Sequence, residues 1–278
     1  MTLRYSHSVY RRAIVMALKK IGPDNLSLIA AGVGFFAMLS IFPALAALIA
    51  LLSIIADPEV VVLQLEEMRE LMPEDVYDIL HTQVVGLVST SSGTLGWAGL
   101  VSVLFALWSA RAGVGAMIHG MNVVYDSEGR GTLGHYLRAL LITVALIAVG
   151  IIALLAVVIA PLLLAFLSLG GLTSVVIEIV RWIVAIVVIF VGIWLLHRFG
   201  PNHSQKLIGF FTPGLVFSVA AWAAVTIGFS FYVAHFGNYN EVYGSIGAVI
   251  AMLVWLWISS FLVLIGGALN AEIVAAAS

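Results

Sequence analysis

The chain contains no cysteine. Disulfides, thiolate metal ligands and a cysteine nucleophile are excluded together. Charge is nearly as scarce. Only 9% of the 278 residues are Asp, Glu, Lys or Arg, against roughly 25% in soluble domains. A soluble fold this poor in charge could not cover its own surface. The net charge is -2, so the balance gives no sign of a nucleic-acid partner. Also missing are HxxxH, HExxH, a glycine-rich phosphate loop and Gly-x-Ser-x-Gly. No metal, no cofactor and no catalytic residue is therefore expected.

What is present is apolar: 63% of the residues are hydrophobic. The fold class that follows is an all-α membrane protein. A span takes about 20 apolar residues, and about six such runs occur, over 26–56, 95–119, 136–168, 174–197, 207–235 and 243–270. The first is too long for a signal-peptide core and reads as a retained span. Turn signals separate the runs: Asp57-Pro58-Glu59, Ser91 to Thr94, Asp126 to Gly134, Gly170-Gly171, Gly200-Pro201-Asn202 and Gly237 to Asn240.

Six spans put both termini on one side. Arg4, Arg11, Arg12, Lys19, Lys20, Arg111, Arg130, Arg138, Arg198 and Lys206 fall on that side, and Arg69 and Arg181 on the other. The positive-inside rule then places both termini in the cytoplasm. Residues 1–25 form a basic amphipathic segment expected to rest on the anionic inner leaflet. Residues 26–278 form the transmembrane domain. Its acidic extracytoplasmic insertion, 57–94, carries apolar residues at helical spacing and is split at Pro73. It is either a structural cap or a lid.

Inside the membrane, departures from plain apolar sequence mark candidate sites. Arg111, Gly115, His119 and Asn122 share one helical face. Such a stripe is costly in lipid and should face protein or a wet cavity. Arg111 either receives an anionic head group or snorkels to the interface. Tyr239, Glu241 and Tyr243 gather polar groups before the last span, and Asn270 and Glu272 lie at its end. These nine residues make the candidate substrate path. Gly32, Gly34, Ser245 and Gly266 supply small surfaces for helix packing. Pro43, Pro161 and Pro213 are expected to kink their spans. Trp255 and Trp257 sit mid-span and read as core filler.

Four stretches together resemble the YihY/BrkB family of bacterial inner-membrane proteins. They are Ala30 to Pro43, Arg111 to Tyr125, Leu196 to Asn202, and Tyr243 to Ala248 continuing through Gly266 to Glu272. The resemblance runs through nearly the whole chain in order. One position departs: members often carry Gly-Ala-Glu where this chain has Gly267-Ala268-Leu269, although Glu272 follows one turn on. The resemblance implies a multi-pass inner-membrane protein with cytoplasmic termini. It also implies links to the cell envelope, to virulence and to lipid export, and an old ribonuclease BN label. The candidate acids and histidines for nuclease chemistry are scattered over separate segments, which does not suit metal-assisted cleavage.

Two functions fit. One is a transporter or flippase for a lipid or other amphiphilic anion, with membrane lipids as partners. The other is a non-transporting scaffold that recruits envelope proteins through 57–94. The small-residue faces would also suit a homo-oligomer.

Overall fold

A computed structural model describes residues 7–55, 66, 81, 92–129, 131–154, 171–202, 210–235 and 245–277. The described residues form seven helices: α1 (His7–Lys20), α2 (Leu26–Ile55), α3 (Ser92–Val124), α4 (Thr132–Leu154), α5 (Gly171–Phe199), α6 (Pro213–His235) and α7 (Ser245–Ala277). The protein is an all-α membrane protein. Among the described residues, five helices are long and apolar enough to cross a bilayer: α2, α3, α4, α6 and α7. A shorter apolar stretch, Ile183–Phe199, lies within α5, which is itself 29 residues long. Most of the acidic segment 57–94 falls outside the described residues, as do Pro161, Tyr239, Glu241 and Tyr243.

Residues Met1–Phe35 with Arg111–Ser278 form one compact unit, and Phe36–Ala110 form a second. In the second, the Phe36 and Trp108 rings meet edge to face at 6.4 Å. Two of its helical hydroxyls bond within their own helices: Ser109 Oγ donates to the Phe105 carbonyl at 2.8 Å and Ser40 Oγ to Ala37 O at 2.7 Å. A span has no water to bond, so such groups must find partners inside the protein. Helix α2 runs through Pro43.

In the first unit α1 and α6 pack on α7, α4 packs on α5, and α5 packs on α6. The core gathers Leu26, Met121, Leu215 and Leu264. Aromatic rings fill the α5–α6 side, with Phe190, Trp194, Phe199, Phe210 and Phe211 in contact.

Two helix ends are closed by residues other than glycine in the left-handed region. Asp126 has φ 48° and follows α3. The Ser127 amide donates to Asn122 O at 2.9 Å and Asp126 to Val123 O at 3.1 Å, the two bonds of a Schellman motif. Asn25 has φ 51°. There Leu26 N donates to Ile21 O at 3.2 Å and Asn25 N to Gly22 O at 3.0 Å, while Asn25 O accepts from Ile29 at 3.0 Å. Asn25 therefore ends the coil that continues α1 and caps α2.

Three expectations are corrected. Pro213 does not kink a span: it is the first residue of α6, where its missing N–H is not needed. The second and last apolar helices extend past the expected ends, to Val124 and Ala277. Trp255 and Trp257 are more than filler. Trp255 Nε1 donates to Thr226 Oγ1 at 3.4 Å, and Trp257 Nε1 to Ser27 O at 3.1 Å.

Candidate functional site

Three buried polar side chains join α5, α6 and α7. The first four amides of a helix have no partner within it, and α6 solves this residue by residue. Pro213 has no N–H. Leu215 N donates to Thr212 Oγ1 at 3.3 Å, and Val216 N to Thr212 O at 3.0 Å. The Gly214 amide reaches across to Asn270 Oδ1 on α7 at 2.8 Å. That bond orients the Asn270 carboxamide, so Nδ2 turns to His197 Nδ1 at 3.4 Å. On the other side of the ring, His197 Nε2 meets the Val263 carbonyl at 2.9 Å. A carbonyl only accepts, so Nε2 carries the proton and Nδ1 accepts from Asn270. The imidazole is neutral and spent on structure. Nearby, Ser218 Oγ donates to Leu262 O at 3.1 Å. Gly214 and Gly266 pack backbone to backbone, so α6 and α7 approach as closely as small residues permit.

The end of the unit that holds the α1–α2 corner is charged. Lys20 Nζ lies 2.6 Å from Asp126 and 3.3 Å from Glu272, and donates to Val124 O at 3.0 Å. One ammonium thus ties α1 to the ends of α3 and α7. A small cavity of about 90 Å³ lies against Lys20, Tyr125, Asp126 and Glu272. Burial opposes the Lys20 charge, but the Asp126 and Glu272 carboxylates outweigh it and raise its pKa above the ordinary value. Stability from this contact is present at neutral pH and lost only as pH rises through the folded-state value.

Asp24 has the opposite sign of effect. Its Oδ2 is buried without a hydrogen-bond partner. Burial raises its pKa above 3.8, Lys20 counteracts, and Asp126 and Glu272 add to the rise. The charged form is therefore disfavoured on folding, and that cost is present above the folded-state pKa and absent in acid. Asp24→Asn should raise the melting temperature at pH 7, with the gain shrinking as pH falls towards 4. A gain that stays constant across that range would refute the assignment.

Along α3 the expected stripe meets four different surroundings. Arg111 is half-buried, with its guanidinium over the Tyr136 ring at 4.3 Å. Its Nε is buried and has no hydrogen-bond partner. Gly115 lies against His135 and Ala139 of α4, and His119 is exposed. Asn122 is buried, and its Oδ1 accepts from the Asn202 amide at 2.7 Å. Asn202 Nδ2 in turn reaches Glu128 O at 3.0 Å. Arg138 Nε donates to Phe199 O at 2.8 Å, capping α5.

Of the other candidate path residues, Asn270 belongs to the interhelical clamp and Glu272 to the Lys20 cluster. Gly34 touches the Trp257 backbone, and Gly266 touches Gly214 and Ser218; a Cβ on Gly32 would meet nothing. The side chain of Ser245 is not among those described. Sequence reading missed His197, Asn202, Lys20 and Asp126 as organising residues. A histidine closing the apolar run 174–197, just before Arg198, was the available signal for His197.

A family model described as virulence factor BrkB matches residues 17–277. The putative ribonuclease-like protein YfkH of Bacillus subtilis (strain 168) is 30% identical over 246 residues, covering 87% of this chain and 87% of that protein. A UPF0761 membrane protein of Tolumonas auensis is 34% identical over 86 residues, 30% of this chain and 27% of its own. Another, from Pseudoalteromonas atlantica, is 30% identical over 102 residues, 36% of this chain and 32% of its own. No solved structure matches.

Proposed function

The chain belongs to the BrkB family, and from that premise we propose that it moves a lipid or other amphiphilic anion across the bacterial inner membrane, with Arg111 receiving the head group. The observation that carries this reading is the state of Arg111. It lies within an apolar span, Gly99–Val124. Among the described residues both ion pairs belong to Lys20, so none of them supplies a countercharge to Arg111. Its contact with Tyr136 is worth only about 0.5–2 kcal/mol. Its buried Nε still lacks an acceptor. A phosphate or carboxylate would supply both the charge and the acceptor, while acyl chains remained in the bilayer.

The positive-inside rule keeps both termini cytoplasmic, with exposed Arg11, Arg12 and Lys19 facing the inner leaflet. Nuclease chemistry is not part of this reading. The printed name of the Bacillus protein concerns that protein. Among the described residues no three His, Asp or Glu side chains converge as metal ligands.

The test uses protein reconstituted in vesicles with head-group-labelled phosphatidylglycerol and an impermeant quencher. Quenching should proceed beyond the outer-leaflet half. Arg111→Ala should slow it at least about tenfold, as expected from losing a charged hydrogen bond of about 1.5–3 kcal/mol. Arg111→Lys should restore it only partly, because an ammonium lacks the planar fork. Wild-type quenching that stops at the half excludes passive movement of this lipid. A variant as fast as wild type removes Arg111 from the path and favours a scaffold acting through 57–94.

A further inference from the structure

A second lipid-facing feature lies away from Arg111, at the corner between α1 and α2. A crevice of about 490 Å³ is lined there by Ile21, Asn25, Ser27, Leu28, Ala31 and Trp257. That volume falls within the roughly 300–1,000 Å³ of small-molecule sites. One end is closed by close approach of α2 and α7: a Cβ on Gly34 would come within 3.1 Å of the Trp257 backbone nitrogen. The indole bridges the two helices by its bond to Ser27 O, which leaves the ring itself as wall.

The lining is chemically divided. Leu28, Ala31 and Trp257 offer hydrocarbon, and Leu28 is 73% exposed. The helix that carries it is an apolar span, so acyl chains, not water, stand outside. At the corner end sit two exposed polar residues, Asn25 and Ser27. The Asn25 side chain has only a long bond, 3.5 Å, to Pro23 O, so its amide can donate outward.

Charge selects the occupant. Helix α1 ends at this corner and splits its surface three ways. Ala13 and Ala17 are buried against the protein, while Ile14, Val15 and Leu18 are exposed apolar residues. Arg12 and Lys19, seven residues apart and on one face, are exposed cations. Such a helix lies in the membrane interface with its cations at head-group level. Lys20, by contrast, is held by Asp126 and Glu272. The one carboxylate of the corner, Asp24, is partly buried near Lys20, so the exposed charges that α1 brings to this corner are positive.

We infer that this crevice binds one anionic phospholipid, with an acyl chain against Leu28, Ala31 and Trp257 and the phosphate between Asn25 and the Arg12–Lys19 face of α1. The site serves as a resident contact with the leaflet and does not depend on the Arg111 reading.

The test reconstitutes the full chain in phosphatidylcholine vesicles with a trace of phosphatidylglycerol or phosphatidylcholine bearing a photoreactive acyl chain. Labelled peptides are then mapped by mass spectrometry. The phosphatidylglycerol probe should label residues 21–31 and Trp257 at least about fivefold more than the phosphatidylcholine probe, the ratio expected of one basic side chain at an anionic interface. Ala31→Trp, which fills the crevice, should abolish that labelling. Arg12→Glu with Lys19→Glu, at exposed positions, should lower the phosphatidylglycerol signal to the phosphatidylcholine level. Arg111→Ala should leave the labelling unchanged, which separates this site from the translocation path. Equal labelling by the two probes in the wild type, or labelling no stronger than at exposed Leu141 and Ile186, reduces the crevice to ordinary boundary lipid. An undiminished phosphatidylglycerol excess in the charge-reversed variant overturns the head-group assignment.

Discussion

Gly214→Ala should leave little folded protein after detergent extraction, whereas Gly228→Ala on the same helix should be harmless. A Cβ on Gly214 would run into the Gly266 carbonyl and approach the Asn270 carboxamide at 2.7 Å. The obstruction on one side is backbone, which cannot rotate away, so α6 and α7 would have to separate. Overpacking of this kind costs about 1–3 kcal/mol and occasionally more. Here the upper end applies, because the same displacement strains the Gly214–Asn270 and Ser218–Leu262 bonds. Nothing lies within 4 Å of a Cβ on Gly228, and alanine there gains roughly 0.5–1 kcal/mol of helix propensity. Thermal unfolding followed by size-exclusion chromatography measures both. If the two variants melt within a degree of each other, the close α6–α7 contact is not a determinant of stability.

The second large effect is expected at Asn270. Asn270→Leu keeps the branching and the number of side-chain heavy atoms but removes the acceptor for the Gly214 amide and the donor to His197 Nδ1. Both are buried. An orphaned buried polar group costs about 1–3 kcal/mol, so with two of them the variant should lose about 2–6 kcal/mol. His197→Phe removes the second orphan at its source. The double variant should therefore be less destabilised than the sum of the singles, by on the order of 1 kcal/mol. Strict additivity would show that the His197–Asn270 contact carries no energy of its own.

These two positions also show how far the sequence could be read. Apolar run lengths located the membrane helices, because lipid demands long unbroken helices. The family resemblance was legible because its stretches recur in order along the chain. Helix ends were less legible. Nothing in Asn25 or Asp126 by itself announces a left-handed cap, since glycine is the usual residue there. Pro213 illustrates the same limit: proline reads alike at a kink and at a first helical position, and the neighbouring Thr212 cap decides between them. For the site, a helical wheel groups Arg111, Gly115, His119 and Asn122 on one face. It cannot say that a neighbouring helix covers Gly115, that His119 is exposed, or that Asn122 is spent on Asn202. The last of these depends on residues 80 positions apart meeting. The Lys20 cluster was equally hidden, because its carboxylates come from chain segments more than 100 residues away.

The Asn25 corner joins α1 to the start of the first span through a short hydrogen-bonded turn. The five residues between them, 21–25, are a turn held by backbone bonds from Asp24 to Lys20 and from Leu26 to Ile21, and Lys20 ties the joint to Asp126 and Glu272. The N-terminal helix is then tied to the start of α2, residues 26–35, and to the ends of α3 and α7. A probe attached to Arg11 would report movement of the unit formed by Met1–Phe35 and Arg111–Ser278, and any partner that grips this helix would hold a lever on that unit.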